Sequence, residues 1–266
     1  MRAVSGSIVA VAALALAGPA LAGWVELTPT KDTYVQDRWP DDNFGASGQL
    51  LMGRGVAWGL GVIRGLVEFD LADLPKNPKR IKEAVFYAYQ FDAEPAAGGI
   101  AVFVHRATSP WDEALVTWND QPTFDARTWA SAAVGDFFHV GWIDWNLRDL
   151  VRAHVDGQYA NLGWVFKVQF ENSGTSRLGY LRSVEYGEDL PRLSVLVIRP
   201  GDLNCDGKID LFDIDPFVWA LTNPAKYAQQ FPDCDRTLAD MNGDGLVNFF
   251  DIDPFVKCLT NPANCP

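Results

Sequence analysis

Asp202-Leu203-Asn204-Cys205-Asp206-Gly207-Lys208-Ile209-Asp210-Leu211-Phe212-Asp213 returns 38 residues later as Asp240-Met241-Asn242-Gly243-Asp244-Gly245-Leu246-Val247-Asn248-Phe249-Phe250-Asp251. Calcium takes six to eight hard oxygen ligands, and a twelve-residue loop can supply them from positions 1, 3, 5, 7, 9 and 12 around a glycine at 6. In the first copy those positions are Asp202, Asn204, Asp206, the Lys208 carbonyl, Asp210 and Asp213, with Gly207 at the turn. In the second they are Asp240, Asn242, Asp244, the Leu246 carbonyl, Asn248 and Asp251, with Gly245 at the turn. Chance placement of aspartate in an acidic segment rarely meets so many constrained positions twice at one offset. Two bound Ca2+ are therefore expected, with the apolar Ile209 and Val247 at position 8 pairing across the loops.

The repeat continues past the loops. Phe212-Asp213-Ile214-Asp215-Pro216-Phe217-Val218 recurs as Phe250 to Val256, and Leu221-Thr222-Asn223-Pro224-Ala225 recurs as Leu259 to Ala263. Exact repetition at a fixed period means two copies of one structural unit. Pro216 and Pro254 suit an early helical turn, where a missing N–H costs little. Residues 201–266 thus read as a small α-helical C-terminal domain with two EF-hand-like loops. They hold eleven aspartates against four lysines or arginines, a crowding that should disfavour the compact state until metal binds. All four cysteines, Cys205, Cys234, Cys258 and Cys265, also fall here. Disulfides fit an exported small domain, and CxxC spacing for zinc is lacking. Three connectivities are possible, and the short Thr-Asn-Pro-Ala-Asn turn favours Cys258 with Cys265, leaving Cys205 for Cys234.

Residues 24–199 read differently, as short alternating or apolar runs broken by Gly, Pro, Asn and Asp. That pattern predicts a jelly-roll-like β-sandwich, so the chain as a whole is mainly β. Expected strands cover 66–71, 84–91, 100–106, 163–170, 177–182 and 192–198. One helix interrupts them: Asn146 can cap it, Leu147, Leu150, Val151, His154 and Val155 share one face, and Gly157 ends it.

Residues 1–22 carry Arg2, an apolar run from Ile8 to Ala17 and an Ala20-Leu21-Ala22 cleavage site, the signature of a secretory signal peptide. A secreted, extracellular or cell-surface bacterial protein is expected, with no membrane span in the mature chain. A net charge of −12 argues against nucleic acid as partner, since its backbone demands a basic footprint. There is no HExxH, no GxSxG with partner residues and no phosphate-binding loop. His105, His139 and His154 stand isolated, so no catalytic residue is assigned, and a polysaccharide-degrading hydrolase or lyase is kept only as an alternative.

The C-terminal segment resembles the type I dockerin family in its two D-x-N-x-D-G-x-[VI]-[ND]-x-x-D loops, each followed by a helix, at a chain end. The resemblance implies calcium-dependent docking to a cohesin-like or cell-surface protein through loop positions 10 and 11 and the next helix: Leu211, Phe212 and Trp219 in the first copy, Phe249 and Phe250 in the second. Packing between the repeats is the competing role for these apolar residues.

The N-terminal segment resembles the DNRLRE family of β-sandwich domains. The matching stretches are Lys31-Asp32-Thr33-Tyr34-Val35, Asn43-Phe44-Gly45, Arg64 to Leu71, Trp111 through Thr117-Trp118-Asn119-Asp120-Gln121-Pro122, Asn161-Leu162-Gly163, and Arg182-Ser183-Val184-Glu185 ahead of Pro191-Arg192-Leu193. The family is similar to modules that attach to acidic polysaccharides such as alginate, which implies a polysaccharide partner. Two readings of its charged residues stay open. Asp32, Arg64, Arg182 and Glu185 can form a network tying strands together, because paired charges are tolerated where lone ones are not. Alternatively Lys31, Tyr34, Arg38 and Trp39, joined by Arg177 and Tyr180, can offer cations to uronates and rings to sugars. A structural or adhesion protein that contacts no glycan is the rival reading of the whole.

Overall fold

The computed structural model describes residues 23–55, 59–94, 98–172, 174, 176–261 and 265. The expected signal peptide at 1–22 lies outside the described residues.

The first part of the chain is mainly β. Its strands are β1 (Trp24–Leu27), β2 (Lys31–Gln36), β3 (Gln49–Gly55), β4 (Gly61–Glu68), β5 (Ile81–Ala93), β6 (Ile100–Arg106), β7 (Ala130–Val134), β8 (Gly141–Asn146), β9 (Trp164–Val168), β10 (Arg177–Arg182) and β11 (Arg192–Val197), with helix α1 (Arg148–Val155) between β8 and β9. Every strand pair is antiparallel.

Where a sandwich predicts two separate sheets, the strands form one 11-stranded sheet in the order β1-β11-β5-β10-β3-β4-β9-β6-β7, with β2 on β4 and β8 on β5. The sheet curls because β3 and β4 carry the hydrogen bonding from one layer into the other. Phe86 on β5 thereby meets Phe166 on β9 with ring centroids 5.1 Å apart, and Trp145 and Trp164 complete the aromatic centre of the enclosed core. Burial of such rings dominates the stability of a β-domain.

The expected strands at 100–106 and 177–182 are found with those bounds. Strand β4 begins earlier than the alternation suggested, because Gly61 and Gly65 hide the period. Gly65 packs closely against Met52, and a Cβ there would sit 2.7 Å from the Met52 methyl, so a side chain at this position would push that methyl aside. In α1, the Asn146 side chain accepts from the Arg148 N–H at 3.1 Å, and Gly157 with φ +74° ends the helix as expected.

The C-terminal part contains α2 (Ile214–Thr222), α3 (Pro224–Gln230) and α4 (Ile252–Thr260), with 3-10 turns at the loop ends. It has its own core, centred on Phe217, Tyr227, Leu238, Met241 and Phe255. Cys205 pairs with Cys234 and Cys258 with Cys265, the favoured connectivity. The two parts touch: the Asn77 amide donates to Asp235, Arg80 Nε donates to the Ile198 carbonyl at 2.9 Å, and Ile198 is buried in the second core. No helix among the described residues is long and apolar enough to cross a membrane.

Candidate functional site

The outer side of β5 is built by alternation. Phe86 and Ala88 point into the core, so Tyr87, Tyr89 and Phe91 face outward and stay half-exposed. Register brings Trp142 of β8 opposite Tyr89, with centroids 5.4 Å apart in an edge-on arrangement. It also brings Arg192 of β11 opposite Tyr87, and the guanidinium lies 4.0 Å from the Trp142 ring centre. At the other end, Tyr180 of β10 and the exposed Tyr186 flank Phe91, while Arg182 lies over Tyr89 and Tyr186 at 4.8 and 4.3 Å. The result is a continuous row of rings on one solvent-facing sheet surface. Beside it lies a depression of about 330 Å³ lined by Gln90, Asp136, His139, Trp142 and Asp144 among others.

The residues singled out for sugar binding do not converge. Tyr180 belongs to the aromatic row, and Trp39 and Arg38 are exposed in the loop after β2. Tyr34 is buried and stacks on Phe44 at 4.5 Å. Lys31 is tied to Glu68 at 3.0 Å and to the Trp111 carbonyl, and Arg177 is bound to the Gly98 and Ser176 carbonyls. Alternation within the Tyr87-Ala88-Tyr89-Gln90-Phe91 run carried the missed signal.

The expected network of Asp32, Arg64, Arg182 and Glu185 is corrected. Arg64 pairs with both carboxylate oxygens of Glu171 at 2.7 and 2.8 Å, under the rings of Trp118 and Phe124. Arg182 pairs with Glu188 and Asp189. Asp32 instead faces acids: one oxygen each from Asp32, Glu113 and Glu185 lie within 4.8 Å of one another, and the Val184 N–H donates to the Asp32 carboxyl at 3.3 Å. Burial above all, then the Glu185 charge, pushes the Asp32 carboxyl up to about 8. The triad needs a proton or a cation between its members, and its all-oxygen donor set could hold a divalent ion.

The histidines are structural where the chain buries them. His154 accepts from Trp164 Nε1 at 3.4 Å on one nitrogen and meets the Tyr159 carbonyl at 3.3 Å with the other. His105 contacts the Asp125 carbonyl at 3.1 Å.

In the C-terminal loops the aspartates fold inward on the backbone. Asp202 accepts from the Asp206 and Gly207 N–H groups, and Asp240 from those of Gly243 and Gly245. Asp213 and Asp251, both fully buried, each accept from three N–H groups that close the loop. Gly207 and Gly245 have φ of +93° and +84°, the left-handed turn that position 6 requires. Burial, then the neighbouring Asp213, pushes the Asp202 carboxyl up to about 7. Ile209 and Val247 both border the shared core. Leu211, Phe212, Phe249 and Phe250 are 75, 77, 75 and 78 % exposed, so they do not pack between the repeats. Trp219 is drawn against Phe231, with Lys226 Nζ 3.9 Å from its ring centre.

No curated protein matches the chain. Residues 23–196, well over half of it, match the family profile of carbohydrate-binding module family 96, and the chain belongs to that family.

Proposed function

We propose that the protein is an exported, non-catalytic polysaccharide binder that holds its glycan on the outer face of β5, β8 and β10 and is recruited to a partner by its C-terminal part. The row of half-exposed rings on that face carries the reading. The apolar C–H faces of pyranose rings pack on aromatic π-faces, and alternate residues of one strand lie about 6.8 Å apart, so Tyr87 to Phe91 span about 14 Å of chain. Support for the non-catalytic role comes from His105, whose Nδ1 meets the Asp125 carbonyl, and from His154, both of whose nitrogens are engaged in the fold. Retardation of the protein in polysaccharide-containing gels, weakened by Trp142→Ala, tests the assignment. Unchanged mobility across a glycan panel rejects it in favour of a structural or adhesion role.

The C-terminal part is proposed as a dockerin-like module that binds two Ca2+ and docks to a cohesin-like or cell-surface protein. The chemistry of its donor set supports this: Asp202, Asn204, Asp206, Asp210 and Asp213, and their counterparts Asp240, Asn242, Asp244, Asn248 and Asp251, offer hard oxygens at the spacing calcium takes, on loops whose glycines make the turn at position 6. The raised Asp202 carboxyl supports the same reading, because a cation relieves that crowding. Isothermal titration with Ca2+ tests it, and a stoichiometry near zero sinks it.

A further inference from the structure

We infer that the glycan site runs on from the aromatic row, across the adjoining depression, to the loop between β7 and β8, so that the protein grips an internal stretch of a long polysaccharide; this rests on the reading of the row as the glycan site. The loop, residues 135–140, sets Phe137, Phe138 and Val140 in water at 45, 79 and 61 % exposure. Apolar side chains grouped in this way outside a core mark a binding surface.

The loop is not free to fold them away. Gln90 of β5, fully buried, holds it at three points: Nε2 donates to the Asp136 carbonyl at 3.1 Å and to the His139 carbonyl at 2.7 Å, and Oε1 accepts from the Gly135 N–H at 2.8 Å. Asp136 Oδ1 accepts from the N–H groups of Phe138 at 3.1 Å and Gly98 at 3.2 Å. Gly179 of β10 leaves the room that the amide needs, since a Cβ there would lie 2.7 Å from Gln90 Oε1. A buried amide with both donor hydrogens and its acceptor committed to one loop fixes the shape of that loop. A surface fixed beforehand loses less conformational entropy when a ligand settles on it.

The same loop borders the depression of about 330 Å³, which Asp136 and His139 line together with Trp142 and Asp144 of β8. Trp142 is shared, because its ring also stands edge-on to Tyr89 in the row. Aromatic residues are thus carried on two borders of a polar hollow. A pyranose in the hollow can donate hydroxyls to Asp136 and Asp144 and exchange a hydrogen bond with His139, while its neighbours in the chain lay their C–H faces on Trp142 and on Phe137 or Phe138. Such a site engages several sugars in a row and needs no chain end.

The full-length protein is tested first by affinity electrophoresis against alginate, β-glucan, mannan and xylan, then by isothermal titration with two-sugar and six-sugar fragments of a polymer that retards it. The six-sugar fragment should bind at least about tenfold tighter than the two-sugar one. The double variant Phe137→Ser, Phe138→Ser should lose that gain and leave two-sugar binding within about twofold of the parent. Gln90→Met, which frees the loop without emptying its place, should do the same, whereas a merely structural defect would weaken both lengths alike. The exposed pair guards against misfolding of the buried variant. Equal affinity for the two lengths overturns the inference. Six-sugar binding lost in Trp142→Ala but normal in the double variant removes the loop and leaves the row as the glycan site. Self-association in sedimentation that the double variant abolishes, with glycan binding unchanged, assigns the loop to contact between copies and overturns its glycan role. Binding untouched by Trp142→Ala and by the double variant removes the row as well, and retardation by none of the polymers overturns the polysaccharide reading itself.

Discussion

The rings of Phe217 and Phe255 lie face to face, centroids 4.0 Å apart and planes 9° from parallel. They are the same residue of the two repeats, one on α2 and one on α4, and both are buried. The sequence repeat has therefore become a spatial one, in which each copy completes the other's core. Truncating either ring leaves a cavity and an unpartnered ring opposite. Phe217→Ala and Phe255→Ala should each destabilise the C-terminal part by about 3–5 kcal/mol. The double variant should cost less than the sum, because the two share one contact. Denaturant titrations of the three variants measure this, and additive losses would contradict a mutual stack.

Metal removal should act on the same part. Without Ca2+ the buried Asp202, Asp213 and Asp251 have only backbone N–H groups to offset their charge. Chelation is expected to unfold the C-terminal part while the β-domain melts as before, and Asp202→Ala with Asp240→Ala should reproduce the effect. Two calorimetric transitions in Ca2+, with only the β-domain transition left in chelator, is the expected result. Superimposable traces would argue against bound calcium. The disulfides restrict the unfolded chain but supply no countercharge.

Acid should destabilise the β-domain through His154. Burial lowers its pKa, and Trp164 Nε1 donates to the nitrogen that would have to take the proton. The folded state thus binds fewer protons than the unfolded state, whose His titrates near 6.5, and stability falls as pH drops below that value. Replacing His154 by Gln should flatten the decline in Tm between pH 6.5 and 5. An equally steep decline in the variant would assign the acid sensitivity elsewhere.

Asp32 should give the opposite slope. Its folded pKa of about 8 lies above the model-peptide value of 3.8, so the folded state holds an extra proton between them and stability falls as pH rises through that window. Asp32→Asn, which keeps the Val184 N–H acceptor on one oxygen and removes the charge from Glu113 and Glu185, should raise the Tm at pH 8 in chelator relative to the parent protein. At pH 5 the difference should shrink. If added Ca2+ stabilises the parent but not the variant at pH 8, the triad holds a cation as well as a proton.

How much of this was legible in the sequence depended on how local the signal was. The acidic loops, their glycines and the disulfide pairing follow from spacing within a dozen residues or from a short turn, and the folded chain keeps them. Strands β6 and β10 are legible because they are uninterrupted, whereas glycines shorten the signal of β4, and β1, β2, β3, β7 and β8 do not stand apart from their loops. The Asp32 triad is not legible in the sequence because Asp32, Glu113 and Glu185 come from three distant segments, and Arg64 is held by Glu171. Alternation marks the wet side of β5, but the other rings of the row come from distant segments. Trp142 and Tyr89 are neighbours only through the β5–β8 register, which alternation within either strand does not reveal.

The exposed pairs at the loop ends separate docking from folding. Leu211-Phe212 and Phe249-Phe250 lie almost wholly in solvent at equivalent places of the two repeats, with Val218 and Val256 exposed on the following helices. Large apolar side chains left out of a core that had room for Phe217 and Phe255 add nothing to stability, and paired patches of this kind mark interaction surfaces. Changing each of the four to Ser should shift stability by under about 0.5 kcal/mol, as expected for surface sites. Capture of a cohesin-like or surface partner should nevertheless weaken only when both pairs are changed, because either repeat can present its patch alone. Single-pair variants that already abolish capture would show that one repeat docks and the other does not. A loss of several kcal/mol in any of them would return these residues to the packing role that their exposure argues against.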